Sequence, residues 1–219
     1  MNMRYLQVVL CVFAAALAAA QNPKIFSKMT FENDQVQILE KHGQPHDHKV
    51  NRVMVYVTDG GEILHYLDGK SVDLKWKAGD VKWSPASGMH TSEITSDRNT
   101  MKLVDIGIKK AGSPAKVVNG PLDALRVDPK DYKLEFENNQ VRVVRLKVAP
   151  HASVPMHENT LNRVVVYLTD QNVRETSPDG KATVGQHKAG EYSFGGPSKH
   201  TLDNLSDKPY EAIIVELKG

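Results

Sequence analysis

The clearest hydrophobic pattern in the chain is a two-residue alternation that occurs twice. Across 52–57, Val53, Val55 and Val57 alternate with Arg52, Met54 and Tyr56. Across 163–168, Val164, Val166 and Leu168 alternate with Arg163, Val165 and Tyr167. Successive side chains of an extended chain point to opposite faces, so period two with β-branched residues predicts a strand. Shorter runs of the same kind cover 62–66, 80–83, 101–106, 141–147, 192–194 and 212–217. Turn signals separate them, among them Asp59-Gly60-Gly61, Asp68-Gly69-Lys70, Pro178-Asp179-Gly180 and Gly195-Gly196-Pro197. Many short strands with almost no helical periodicity predict an all-β fold of antiparallel sandwiches or small barrels.

The alternation recurs because a whole domain recurs. Phe31-Glu32-Asn33-Asp34-Gln35-Val36 returns as Phe136-Glu137-Asn138-Asn139-Gln140-Val141. Asn51-Arg52-Val53 returns as Asn162-Arg163-Val164, Asp68-Gly69-Lys70 as Asp179-Gly180-Lys181, and Lys77-Ala78-Gly79 as Lys188-Ala189-Gly190. The period exceeds the roughly 20–50 residues of a solenoid unit. The expected organisation is a first copy at 22–109, a linker at 110–127 packed on the surface, and a second copy at 128–219. Pro121 to Leu125 in the linker could form one helical turn.

Residues 1–20 are set apart. Arg4 precedes an apolar run ending Ala18-Ala19-Ala20, the pattern of a secretory signal peptide cleaved near Ala20. Export to a periplasmic or extracellular space follows as an expectation, with no membrane attachment after cleavage. Cys11, the only cysteine, lies in that leader. The mature chain therefore has no disulfide, thiol nucleophile or thiolate ligand and must be held by its core. Cleavage leaves 27 basic against 26 acidic residues, with no basic stripe of the kind a nucleic-acid binder needs.

The candidate chemistry is in the histidines. His46 and His48 share one face of an extended chain, and Arg52 shares their parity. His90 arrives later, after Gly79 and Pro85. Three neutral imidazoles with an open position suit zinc, copper, iron, nickel or manganese. Copy two offers His157 and His200 at the matching places, with Asn159 where copy one has His48. His42, His65, His151 and His187 fall at turns or outside this pattern and read as surface residues, with His42 a spare ligand beside His46. Glu40 and Asp47 are nearby carboxylates, Asp47 with the opposite parity.

These residues resemble the two motifs of the cupin superfamily, Gly-x5-His-x-His-x3,4-Glu-x6-Gly and Gly-x5-Pro-x-Gly-x2-His-x3-Asn. In copy one His46, His48, Gly79, Pro85 and His90 are in register, and Arg52 stands at the glutamate position. In copy two His157 matches the first histidine and Arg163 again replaces the glutamate. His200 and Asn204 preserve the ending, with His200 ten residues after Gly190 rather than eleven. The resemblance spans both copies and implies two tandem cupin barrels, a bicupin of the double-stranded β-helix or jelly-roll type. It also includes three-histidine cupins that lack the glutamate.

Two functions follow. The first is a metal-dependent oxygenase or isomerase: a divalent ion on His46, His48 and His90 meets a small organic acid or sugar, with Arg52, Tyr56 and Arg163 as substrate-binding candidates. Arginine's planar fork matches oxyanions. The alternative for both arginines is a structural ion pair with a neighbouring strand, and for Tyr56 and Tyr167 a place in the core. The second function is a non-catalytic ligand-binding or assembly module with degenerate metal sites. In either case the outer sheets are available for a homodimer.

Overall fold

The computed structural model describes residues 28–40, 46–112 and 120–219. The leader, His42 and the centre of the linker lie outside the described residues. Copy one contains β1 (Lys28–Glu32), β2 (Val36–Glu40), β3 (His46–His48), β4 (Asn51–Tyr56), β5 (Gly60–Tyr66), β6 (Ser71–Trp76), β7 (Val81–Ser84), β8 (Ser87–Ile94) and β9 (Leu103–Ile108). A short helix, α1 (Ala124–Val127), precedes copy two. Copy two contains β10 (Tyr132–Glu137), β11 (Val141–Val148), β12 (Ser153–Asn159), β13 (Arg163–Tyr167), β14 (Gln171–Thr176), β15 (Ala182–His187), β16 (Tyr192–Gly195), β17 (Ser198–Asn204) and β18 (Tyr210–Leu217).

Each copy folds into two antiparallel sheets. Copy one orders them β1-β2-β9-β4-β7 and β3-β8-β5-β6. Copy two repeats this strand for strand as β10-β11-β18-β13-β16 and β12-β17-β14-β15. The chain passes repeatedly between the sheets, and each pair encloses a lumen. α1 is capped by Asp123, whose side chain accepts from the Leu125 amide, and it packs on β12 and β10. Asp123 also pairs with Arg142 at 2.7 Å, so the described end of the linker is tied to copy two.

The largest core lies between the barrels. Val36, Ile38, Val53, Val55 and Ile106 of copy one form one buried cluster with Val141, Val143, Val164, Val166, Ile213 and Val215 of copy two. The five-stranded sheets thus pack outer face to outer face, and their central strands are buried on both sides. This buries the apolar outer faces of both five-stranded sheets against each other.

The repeated strings are the joints of this arrangement. Asn33 and Asn138 each accept two backbone amides at the turn between the first two strands of their copies. The glutamine two residues on reaches across. Asn51 donates to Gln140 at 2.6 Å, and Asn162 donates to Gln35 at 2.6 Å. That reciprocity marks a two-fold related interface. Asp59 and Asp170 accept the amides of Ala78 and Ala189, closing the Lys-Ala-Gly turns. Gly79 and Gly190 sit there at φ 88° and 89°, where a side chain would be strained.

Candidate metal centre

In copy one, β3 and β8 pair so that His46 lies opposite His90. A register shift follows His46, and His48 still ends on the lumen side. Arg52 comes from β4, in the facing sheet. The ligand atoms of His46, His48 and His90 lie within 4.8 Å of one another, and this is the one such group among the described residues. His46 Nε2 and His48 Nε2 are 2.9 Å apart. Two cis ligands at about 2.1 Å from an octahedral ion would sit about 3.0 Å apart. The His90 Nδ1–H donates to the Gly88 carbonyl at 2.8 Å, leaving its Nε2 lone pair for an ion. The donor set therefore fits a divalent transition metal.

Arg52 complicates the site and also makes it tolerable. Its Nη1 donates to His48 Nε2 at 2.7 Å and to Asp105 Oδ2 at 3.1 Å, while Nη2 donates to Ser84 Oγ at 2.7 Å. An ion on His48 must take over the lone pair that Arg52 now uses. The charge of Arg52 is met by Asp105, which is fully buried on β9. The pair is close to neutral, so Arg52 does not confront an incoming cation as a bare charge.

The lumen of copy one is a cavity of about 250 Å³. Glu62, Leu64 and Tyr66 project into it from alternate positions of β5. Tyr56 stacks on Trp76 with ring centroids 4.4 Å apart, and burial holds its phenol well above the ordinary range. Trp76 fills the interior of copy one, whereas Trp83 packs partly against the core between the barrels. Asp47 is exposed, as its parity predicts. Two carboxylates beside the histidines were not singled out from the sequence. Asp105 was visible as the lone charge in an apolar run, and Glu62 through its parity with Leu64 and Tyr66.

Copy two keeps the frame with different chemistry. His157 lies opposite His200 in the register of the His46–His90 pair, so the ten-residue spacing from Gly190 does not displace His200. The two rings are 4.5 Å apart. Both nitrogens of His157 are engaged: Nδ1–H donates to the Pro155 carbonyl at 3.0 Å, and Nε2 accepts from the Tyr132 hydroxyl at 3.1 Å. Asn159 supplies no third imidazole. Asn204 is committed to three backbone carbonyls around 148–149 and 208. His187, expected at the surface, instead lines the lumen and stacks on Tyr167 at 4.1 Å. It ends a strand whose inward face the sequence pattern did not reveal. His65 and His151 do pair at the surface, with Glu93 and Asp207.

Burial pulls His157 and His200 down to about 4, reinforced by the charge of His200 on His157 and of Arg163 on His200. Both are neutral in the fold and protonate near 6.5 when unfolded. Their contribution to stability is full above pH 6.5 and is lost as pH falls toward 4, because the unfolded state then binds more protons. At 1.36 kcal/mol per pKa unit the loss reaches about 3 kcal/mol for the first of them. Urea midpoints at pH 7 and pH 4.5 check this. The His157→Gln/His200→Gln variant is expected to lose less on acidification; an equal loss would assign the acid sensitivity elsewhere.

No family model and no curated protein sequence matches the chain. Solved structures do. AerE from Microcystis aeruginosa is similar over 90% of this chain and 94% of its own, with TM-score 0.59 at 14% identity. A cupin 2 conserved barrel domain protein from Leptotrichia buccalis is similar over 92% of this chain and 93% of its own, with TM-score 0.55 at 13% identity. Oxalate decarboxylase from Bacillus subtilis, a protein with Mn(II) centres, is similar over 84% of this chain and 68% of its own, with TM-score 0.55 at 12% identity. At these identities the likeness concerns the fold, and it agrees with the sheets above: the chain has the cupin fold, as two barrels in tandem.

Proposed function

We propose that the N-terminal barrel holds one divalent transition metal on His46, His48 and His90 and acts there on a small organic acid or sugar. The observation that carries this reading is the convergence of three imidazoles from two paired strands on one lumen. Imidazole donors suit manganese, iron, nickel, copper or zinc, and the Mn(II) centres of a protein with the same fold add manganese to the probes worth trying first. Such an ion supplies Lewis acidity at its open positions. Around it, Gly88 orients His90, and Asp105 holds Arg52 once Arg52 has given up His48 Nε2 to the ion. Glu62, a buried carboxylate on the same cavity, is placed to accept or return a proton. The reaction class is metal-dependent oxidation or isomerisation. The N-terminal leader pattern supports export, which N-terminal sequencing of the protein from cell fractions would test.

Metal-stripped protein titrated with Mn(II), Zn(II) and Ni(II) is expected to bind one ion per chain. His90→Ala is expected to weaken that binding by about a hundredfold or more, since even partners outside the ligand set contribute ten- to a hundredfold. The bond from Arg52 to His48 favours a second reading, a ligand-binding module that keeps the histidines without a metal. Absence of binding in the wild type, or equal binding in His90→Ala, would select that reading.

A further inference from the structure

The two arginines at equivalent positions have different partners. Arg52 is matched by Asp105. In copy two the corresponding strand, β18, places Ile214 in that position, since Ile108 and Leu217 occupy equivalent pairings with Val36 and Val141. Arg163 instead donates through Nη1 to the Gly196 carbonyl and through Nη2 to Ser198 Oγ at 2.9 Å. Among the described residues no carboxylate pairs with it. A guanidinium has five N–H donors, so three remain for a ligand. Burial lowers the pKa of Arg163, and the nearby charges of Glu175 and Glu216 offset only part of the cost of placing that cation inside the barrel.

The surroundings suit an organic anion. Arg163 opens on a cavity of about 310 Å³ that holds the His157–His200 pair and an apolar wall including Leu146, Val173 and Leu202. Both histidines are neutral, so they take up no anion as counter-charges, and they leave the arginine as the cation of the lumen. Ser198 accepts from Arg163 and lies 3.3 Å from His200 Nδ1, so its own hydroxyl can donate there and leave His200 Nε2–H as a second donor. The carboxylate lining this cavity is Glu175, 4.0 Å from His200 Nε2 and with its side chain 47% exposed. Water screens it, so it opposes an entering anion only weakly. The polar end and apolar wall select a molecule with one charged end and a short carbon body.

We propose that the C-terminal barrel is a metal-independent receptor for a small organic monocarboxylate, bound through the free N–H groups of Arg163. The carboxylate takes the place that Asp105 fills in copy one, as a ligand rather than a side chain. This is independent of metal in the N-terminal barrel, so the test is run with chelator present throughout. The full chain is titrated calorimetrically with acetate, butyrate, benzoate and the uncharged butyramide.

Butyrate or benzoate is expected to saturate at one per chain. Butyramide should bind at least about tenfold more weakly, because the charge-assisted bonds are lost. Arg163→Gln, shown to be folded by its circular dichroism, should weaken butyrate by about ten- to a hundredfold. Should that variant not fold, a butyrate-soaked crystal of the wild type decides, with the carboxylate expected on the Arg163 guanidinium. The proposal is overturned by no saturable binding, by butyramide matching butyrate, by full affinity in folded Arg163→Gln, or by a carboxylate seated away from Arg163.

Discussion

Replacing Val164 by Asp is expected to destabilise both barrels together by about 3–5 kcal/mol, the range for a buried charge left without a partner. Val164 is fully buried on β13, between Phe194 on one neighbouring strand and Val215 on the other. It belongs to the cluster that joins Val53 and Ile106 of copy one to Ile213 of copy two. A carboxylate there meets methyl groups from both copies and no donor. The two tryptophans of the protein, Trp76 and Trp83, both lie in copy one, so their fluorescence reports the barrel that was not altered. The urea midpoint followed by tryptophan fluorescence should fall as far as the midpoint followed by circular dichroism. A tryptophan transition that stays in place would mean that the barrels are independent and that the shared core contributes little.

Asp105→Ala should be comparably costly, at about 3–5 kcal/mol, because it strands the buried Arg52 charge. The replacement of both partners tests the cause. Arg52→Met/Asp105→Leu removes the charge together with its counter-ion, and burying apolar groups in place of an ion pair is often neutral. The double variant should therefore recover most of the stability that Asp105→Ala loses. Copy two supplies a natural precedent for an apolar residue there in Ile214. The double variant also releases His48 Nε2 from the Arg52 bond and should bind metal more tightly than the wild type. If Asp105→Ala unfolds at the wild-type midpoint, the pair is not what holds Arg52. If the double variant binds metal no better, Arg52 does not compete for His48.

The strands that the sequence reveals are those of the five-stranded sheets. β4, β9 and β18 are covered on both faces, by lumen and by the other barrel, and so read as largely apolar runs, whereas β11 interrupts its valines with Arg142, Arg145 and Lys147. The four-stranded sheets are harder to read. Their inner faces carry His46, His90, His157 and Asn159, and their outer faces meet water, so β3, β12, β15 and β17 show little hydrophobic periodicity. The histidine triad was legible because motif spacing does not depend on that periodicity. The difference between Arg52 and Arg163 was not, since it depends on a residue more than forty positions away, Asp105 or Ile214. The repeated Asn51 and Gln140 were visible as a string, but their reason is a contact between copies that only packing discloses.

The central claim is that three histidines of the N-terminal barrel form one metal centre, and anomalous X-ray scattering from crystals grown with Mn(II) tests it most directly. The account predicts one anomalous peak in that barrel, near 2.1 Å from the Nε2 atoms of His46, His48 and His90. It also predicts that Arg52 leaves His48 while remaining on Asp105. No peak at saturating Mn(II), with Arg52 Nη1 still on His48 Nε2, would contradict it.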